Sequence, residues 1–237
     1  DIAGGVCYFL WDRDNRGLCE ITNQYDNNIF KTQRALNEFS VLIRHGIGVS
    51  IVKKVSKTEN PKHFLNKVVS PRKPFELPTN YQPYKKGIPC HFTQKIGLKH
   101  AKSLDYKDKL KIKDKWKLLI PRSPIAGQTD FSKPVGFYYD GNVKIAKPGE
   151  ICTESWLVAC SFPTRDEVVS FKSYLFTKIV RFLLLQTVVS QDIPREKFVF
   201  IPYLEKYNTI FTDDLLRERW KITDDEWSFI DSKIKSL

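Results

Sequence analysis

The sequence predicts an α+β protein built as a mixed sheet flanked by helices, and three observations carry that expectation. Short apolar runs bounded by Pro, Gly and Asp/Asn clusters read as strands near residues 6–11, 47–55, 109–120, 150–160 and 197–201. Two Thr-x-x-Glu capping boxes, Thr164 to Glu167 and Thr223 to Glu226, each open an apolar pattern at helical spacing. Apolar residues make up 41% of the 237 residues and aromatics 13%, which suits a packed core and argues against disorder.

The elements follow in order. Residues 1–25 read as a hairpin. Gly4 and Gly5 let the backbone bend, and Val6 to Trp11 run apolar without alternation, as in a strand covered on both faces. Residues 12–17 make a polar turn and residues 18–22 lead back. A strand that needs cover on both faces implies a segment in front of it, and a chain that starts at Asp1 and holds no methionine reads either as a piece of a longer protein or as a sequence that has lost its methionines. A helix is expected over residues 31–45, burying Leu36, Phe39, Leu42 and Ile43, with Gly46 as its stop. Residues 47–55 then read as a strand.

Asn60-Pro61 signals a short helix that ends near Ser70-Pro71. Residues 71–90 hold five prolines and read as loop. Residues 109–120 alternate, which suits a strand with one buried and one basic face. A turn over 121–127, a hairpin around Asp140-Gly141 and a strand over 150–160 come next. The helix opened by Thr164 is expected to reach about Thr187, with Val168, Phe171, Leu175, Ile179, Phe182 and Leu183 inward. Residues 197–201 read as a strand ended by Pro202. Thr212 caps a small helix, and the box at Thr223 opens a terminal one with Trp227, Ile230 and Ile234 as its apolar face.

Charge is unevenly placed. Between Arg44 and Arg122 there are twenty Lys and Arg against five acids, a balance of +15 within a net charge of +12. Such a basic middle is the footprint of a polyanion-binding face, a solvated lysine-rich surface being the plainer alternative. Phe64, Phe75, Tyr81, Tyr84, His91, Phe92, Tyr106 and Trp116 interleave the charges, some as core and others free to pack on bases or sugars. Five scattered cysteines without metal spacing favour reduced thiols and a cytoplasmic setting. No apolar run approaches the roughly 20 residues of a membrane span.

Residues 4–14, Gly-Gly-Val-Cys-Tyr-Phe-Leu-Trp-Asp-Arg-Asp, resemble a segment of the Eco57I-like adenine-specific DNA methyltransferases of restriction-modification systems. That segment closes the family's catalytic domain, just before its target-recognition domain. Residues 50–55, 74–80, 150–156, 174–183, 198–202 and 223–234 look like its later landmarks, with Glu76 where the family often has Gly. The resemblance implies an N-terminal hairpin (residues 1–25) left over from a Rossmann-like methyltransferase domain. It further implies a target-recognition domain over 26–203 and a helical segment over 204–237. It implies duplex DNA and the upstream catalytic domain of the same protein as partners. S-adenosylmethionine would be the cofactor of the parent protein, with no cofactor in this part.

The residues themselves carry no methyl-transfer machinery. No Pro-Pro occurs, and the sole Gly-x-Gly, Gly46-Ile-Gly48, sits before an expected strand rather than a helix. A metal-dependent nuclease wants Glu-x-Lys, which is missing, and His45, His63, His91 and His100 are dispersed. Phe9 is the candidate to stack on a flipped adenine, a place in the sheet core being the alternative. Candidate base contacts on loops are Arg72, Lys73, Thr79, Asn80, Arg122 and Gln128. Gln191 and Arg195 join them from a polar loop that resembles the family's. Lys53, Lys54, Lys85 and Lys86 suit phosphates. The expectation is sequence-specific DNA recognition. A nonspecific nucleic-acid-binding module and a domain for an acidic protein partner are the alternatives.

Overall fold

The computed structural model describes residues 8–25, 28–59, 63–128, 130 and 133–237. Among them the chain forms a mixed α+β fold of short strands in three small sheets, with five α-helices. In chain order these are β1 (Cys19–Tyr25), β2 (Asn28–Arg34), α1 (Gly46–Thr58), β3 (Ile88–His91), β4 (Leu98–Ala101) and β5 (Trp116–Pro121). Then come β6 (Lys144–Ala146), β7 (Ile151–Cys152), β8 (Trp156–Phe162), α2 (Arg165–Phe176), α3 (Lys178–Leu185), α4 (Asp213–Trp220) and α5 (Asp224–Lys233).

One sheet organises the interior. Strand β5 lies between β6 and β8, antiparallel to both, and residues 117–120 are buried on both faces. Its two faces look into different cores. Leu118 and Ile120 join Leu157, Ala159 and the helices in the larger one, while Leu119 joins Ala146, Trp156 and Val158 in the smaller. Strand β8 alternates between the two cores until the register shifts opposite Leu118 and Leu119. That bulge turns both Ala159 and Cys160 towards the larger core. The smaller core also receives Phe75, Leu77, Cys90, Phe92 and Ile151, and so holds the sheet β4-β3-β7 in place. In that sheet β3 pairs antiparallel with β4 and parallel with β7, which makes it the mixed one.

The helices start where their capping residues put them. Both Thr164 and Thr223 form complete capping boxes, and the Thr212 hydroxyl accepts from the Leu215 N–H. The long helix expected from Thr164 is instead two helices. Thr177 adopts an extended conformation, and its hydroxyl accepts from the Val180 N–H. The Asp213 carboxylate takes the Lys178 and Ile179 N–H groups at 3.1 and 3.0 Å. Side chains that satisfy these N–H groups from outside the helix make the break affordable. The inward face is the expected one, with Val168, Phe171, Leu175, Ile179, Phe182 and Leu183 all buried.

Several sequence expectations are corrected. Residues 47–55 are not a strand: they lie in α1, which buries Gly48, Ile51, Val52 and Val55 at helical spacing. Gly46 therefore starts a helix rather than ending one. Residues 31–34 belong to β2, and 35–45 form turns that leave Leu36 and Leu42 exposed. The hairpin pairs residues 19–25 with 28–34, so residues 18–22 do not return along 8–11. Tyr8, Phe9, Leu10 and Trp11 form no strand and stand 74–95% exposed, with no strand beside them among the described residues. Gly4 to Cys7 and the Asn60-Pro61 signal lie outside the described residues; a single 3-10 turn, Leu65–Lys67, follows that signal.

Residues 109–115 are turns, and only Trp116–Pro121 is extended. Residues 140–142 do turn, but β6 pairs with β5, not with 135–139. Residues 195–198 form a 3-10 turn where a strand was expected at 197–201. No helix among the described residues is long and apolar enough to cross a membrane.

Candidate nucleic-acid interface

The cations of the basic middle divide into those consumed inside the protein and those left on its surface. Lys117 is the extreme of the first kind. It is fully buried, and its ammonium donates to the carbonyls of Lys113, Lys115 and Lys147 at 2.8, 2.6 and 3.0 Å. Burial pushes its pKa down to about 8. Of the lysines on the expected basic face, Lys117 alone lies in the strand and it is core, the charge being tolerable because three acceptors surround it; Lys109, Lys111 and Lys115 are exposed on the turns before it.

Lys54 is also committed. Its ammonium reaches Glu226 at 2.6 Å and the Lys221 carbonyl at 3.0 Å. Glu226 is buried, completes the α5 capping box and accepts from Ser50 at 2.7 Å. Burial alone would push the Glu226 carboxyl up, but Lys54, Thr223 and Ser50 hold it below the usual value. Lys53, by contrast, pairs with Glu38 at 3.1 Å while 60% exposed, a bond that a phosphate can compete with.

Three expected base contacts meet at one carboxylate. Glu154, in the turn between β7 and β8, is 5% exposed and pairs with Arg72, Lys73 (3.6 Å) and Arg122 (2.9 Å). Burial would raise its pKa; the cations, Arg72 foremost, hold it below the usual value. Backbone bonds bring the segments together: Glu154 N–H to the Leu77 carbonyl (2.9 Å), Arg122 N–H to Ser155 (3.2 Å) and Ile193 N–H to Arg122 (2.9 Å). Arg122 also holds Asp192 at 3.0 Å, and Asp192 accepts from the Ser123 hydroxyl. Loops around 72, 122 and 192 thus form one surface.

In the basic middle, lysines without an ion pair among the described residues stand singly at Lys57, Lys67, Lys111 and Lys115 and gather on another unit, the β3–β4 hairpin and the residues flanking it. The hairpin turn closes through Gly97, whose positive φ of +75° suits glycine. Tyr84 bridges His100 on the outer side of β4, and residues 85–87 lead from there into β3, where a Cβ on Gly87 would lie 2.0 Å from the Ala101 carbonyl oxygen. Lys85 and Lys86 thus lie between two contacts with β4, the strand that carries Lys99 and ends just before Lys102. The Lys102 ammonium stands 5.0 Å from the Tyr84 ring centroid, and Tyr84 is half exposed. Lys85, Lys86, Lys95, Lys99 and Lys102 are exposed and make no ion pair among the described residues. The acids nearby are engaged elsewhere. Asp105 accepts from the Tyr81 hydroxyl (2.7 Å), Glu76 takes Lys107 and Lys109, and Glu150 takes His91 (2.9 Å).

The remaining candidates are scattered. Thr79 and Asn80 are exposed, and the Asn80 carbonyl accepts from Gln82 at 3.0 Å. The Gln128 side chain is spent on the carbonyls of Asp130 and Pro134, at 3.2 and 3.5 Å. Gln191 is exposed, and Arg195 pairs with its neighbour Glu196. Phe9 stands 88% exposed in the segment before β1, outside any sheet core.

Sequence reasoning overlooked Glu154, Asp192 and the lysines at 95, 99 and 102. The last were readable as Lys-x-x-x-Lys-x-x-Lys around Gly97. The ground given against Gly46-x-Gly48 also changes, since a helix does start there. No strand leads into it, and the glycines serve packing: a Cβ on Gly48 would meet Gln186 at 2.5 Å, and one on Gly46 would meet Thr32 at 2.9 Å. Among the described residues no group of three or more His, Cys, Asp or Glu could hold a metal ion. No protein-family model matches the chain, and no curated protein matches it.

Proposed function

We propose that this chain is the DNA-recognition part of an adenine-specific methyltransferase from a restriction-modification system. The observation that carries DNA binding is the row of unpaired lysines on the β3–β4 hairpin with Tyr84 among them. Lysines without carboxylate partners keep their full attraction for phosphates, and releasing counterions from DNA drives such binding. The loops joined at Glu154 present polar side chains suited to base edges.

The methyltransferase assignment rests on the resemblance of residues 4–14 and the later landmarks. In that reading the catalytic half binds S-adenosylmethionine and methylates N6 of an adenine that this part helps to select. The apolar side chains of Tyr8, Phe9, Leu10 and Trp11, displayed without cover, fit a segment that docks on the catalytic half. Binding to a pool of random duplexes, with selection and sequencing at two salt concentrations, tests the proposal. Enrichment of one short adenine-containing site supports it, and failure to bind any duplex at low salt refutes it.

A further inference from the structure

Resting on the DNA-recognition reading, we infer that Arg72 reads a guanine through its O6/N7 edge and that Glu154 is its positioning residue. The Arg72 Nε–H is bound by the buried Glu154 carboxylate, while the side chain remains 66% exposed. Its two Nη groups have no hydrogen bond among the described residues. The backbone on both sides is also fixed. Ser70 exchanges bonds with Val158, N–H to carbonyl and N–H to hydroxyl, each at 2.9 Å. Lys73 sits in the left-handed region at φ 58°, and its carbonyl accepts from Glu76 at 3.0 Å. An arginine anchored through Nε, with its forked end open, is arranged for a bidentate contact.

Arg122 makes the contrast. Both of its Nη groups are occupied, by Glu154 and Asp192, so it braces the loops and has no fork to offer. Guanine is favoured over phosphate by charge. Arg72, Lys73 and Arg122 face the carboxylates of Glu154 and Asp192, which cancel most of the attraction a phosphate would feel. A neutral base edge needs direction more than charge, and the β3–β4 lysines already serve phosphates.

The test runs the random-duplex selection with the wild type, Arg72→Lys and Glu154→Gln, each first shown by thermal melting to be folded. The wild type is expected to select one G·C pair that Arg72→Lys no longer distinguishes, a loss of about 10- to 100-fold in preference at that position alone. Glu154→Gln blurs the same position and leaves the others intact. Replacing that guanine with 7-deazaguanine removes N7; it weakens wild-type binding and leaves Arg72→Lys unaffected. Unchanged selection by Arg72→Lys, or an equal loss on every sequence, overturns the inference while leaving DNA recognition standing. Wild-type binding without enrichment, or no binding, removes the recognition reading and the guanine assignment with it.

Discussion

Lys117 and Lys99 both lie on strands of small sheets, and the structure uses them in opposite ways. Lys117 is sealed between three carbonyls in the interior, whereas Lys99 stands in solvent on the outer strand of its sheet. Their neighbours in sequence are equally lysine-rich, so composition does not tell them apart. What separates them is the strand's place. β5 has a partner on each side and a core on each face, so residues 117–120 are enclosed, while β4 ends its sheet, bridged on its outer side by Tyr84, and has three exposed residues. A basic stretch therefore counts as a binding surface only after the cations that hold the fold have been subtracted.

The contrast predicts large stability effects for the enclosed cations and almost none for the exposed ones. Lys117→Met is the most damaging substitution. It strips the donor from three carbonyls, at about 1–3 kcal/mol for each left unsatisfied, and denaturant unfolding should show a loss of several kcal/mol. The wild type should also become more stable as pH rises from about 8 towards the ordinary lysine value of 10.5. In that window the unfolded lysine holds a proton that the folded one has given up. The gain attributable to Lys117 over the whole window is roughly 3 kcal/mol. Calorimetry of the wild type against Lys117→Met isolates it, and identical pH profiles would show that Lys117 is not enclosed as described.

Next in size is Glu154→Ala, with an expected loss of about 2 kcal/mol, moderated because Arg72 and Lys73 reach solvent. The Glu154 carboxyl is held below its usual value, so its contribution is present above about pH 4.5 and disappears as pH falls through the folded value. Acid unfolding curves of wild type and Glu154→Ala should converge at low pH. Lys54→Ala follows, costing about 1 kcal/mol through its pair with Glu226, and DNA affinity should change little.

Legibility in the sequence followed the same line between local and distant partners. The starts of α2, α4 and α5 were readable because each cap and its target lie three residues apart. The start of α1 was not. Its β-branched run fits either period, and the choice is made by Gln186 packing on Gly48 and by Glu226 reaching Ser50 and Lys54 from far along the chain. Arg72, Lys73 and Arg122 were recognisable as candidates by residue type. Their shared carboxylate was not, since Glu154 lies 82 residues from Arg72. The exposed run at residues 8–11 was misread for a related reason: its composition asks for cover, and no described strand supplies it.

The smallest effect on stability belongs to the hairpin lysines. Lys85→Ala, Lys86→Ala and Lys99→Ala, singly or together, should each stay within about 0.5 kcal/mol of the wild type. On DNA the order reverses, and these become the most damaging.

The central claim is tested most directly by the salt dependence of duplex-DNA affinity for the wild type and the Lys85→Ala/Lys86→Ala/Lys99→Ala triple variant, by fluorescence anisotropy. The slope of log affinity against log salt should fall by about 0.9 for each lysine that contacts a phosphate, with Lys54→Ala indistinguishable from wild type. An unchanged slope in the triple variant, or an equal loss in Lys54→Ala, would contradict the division of the basic middle into an inner brace and an outer grip.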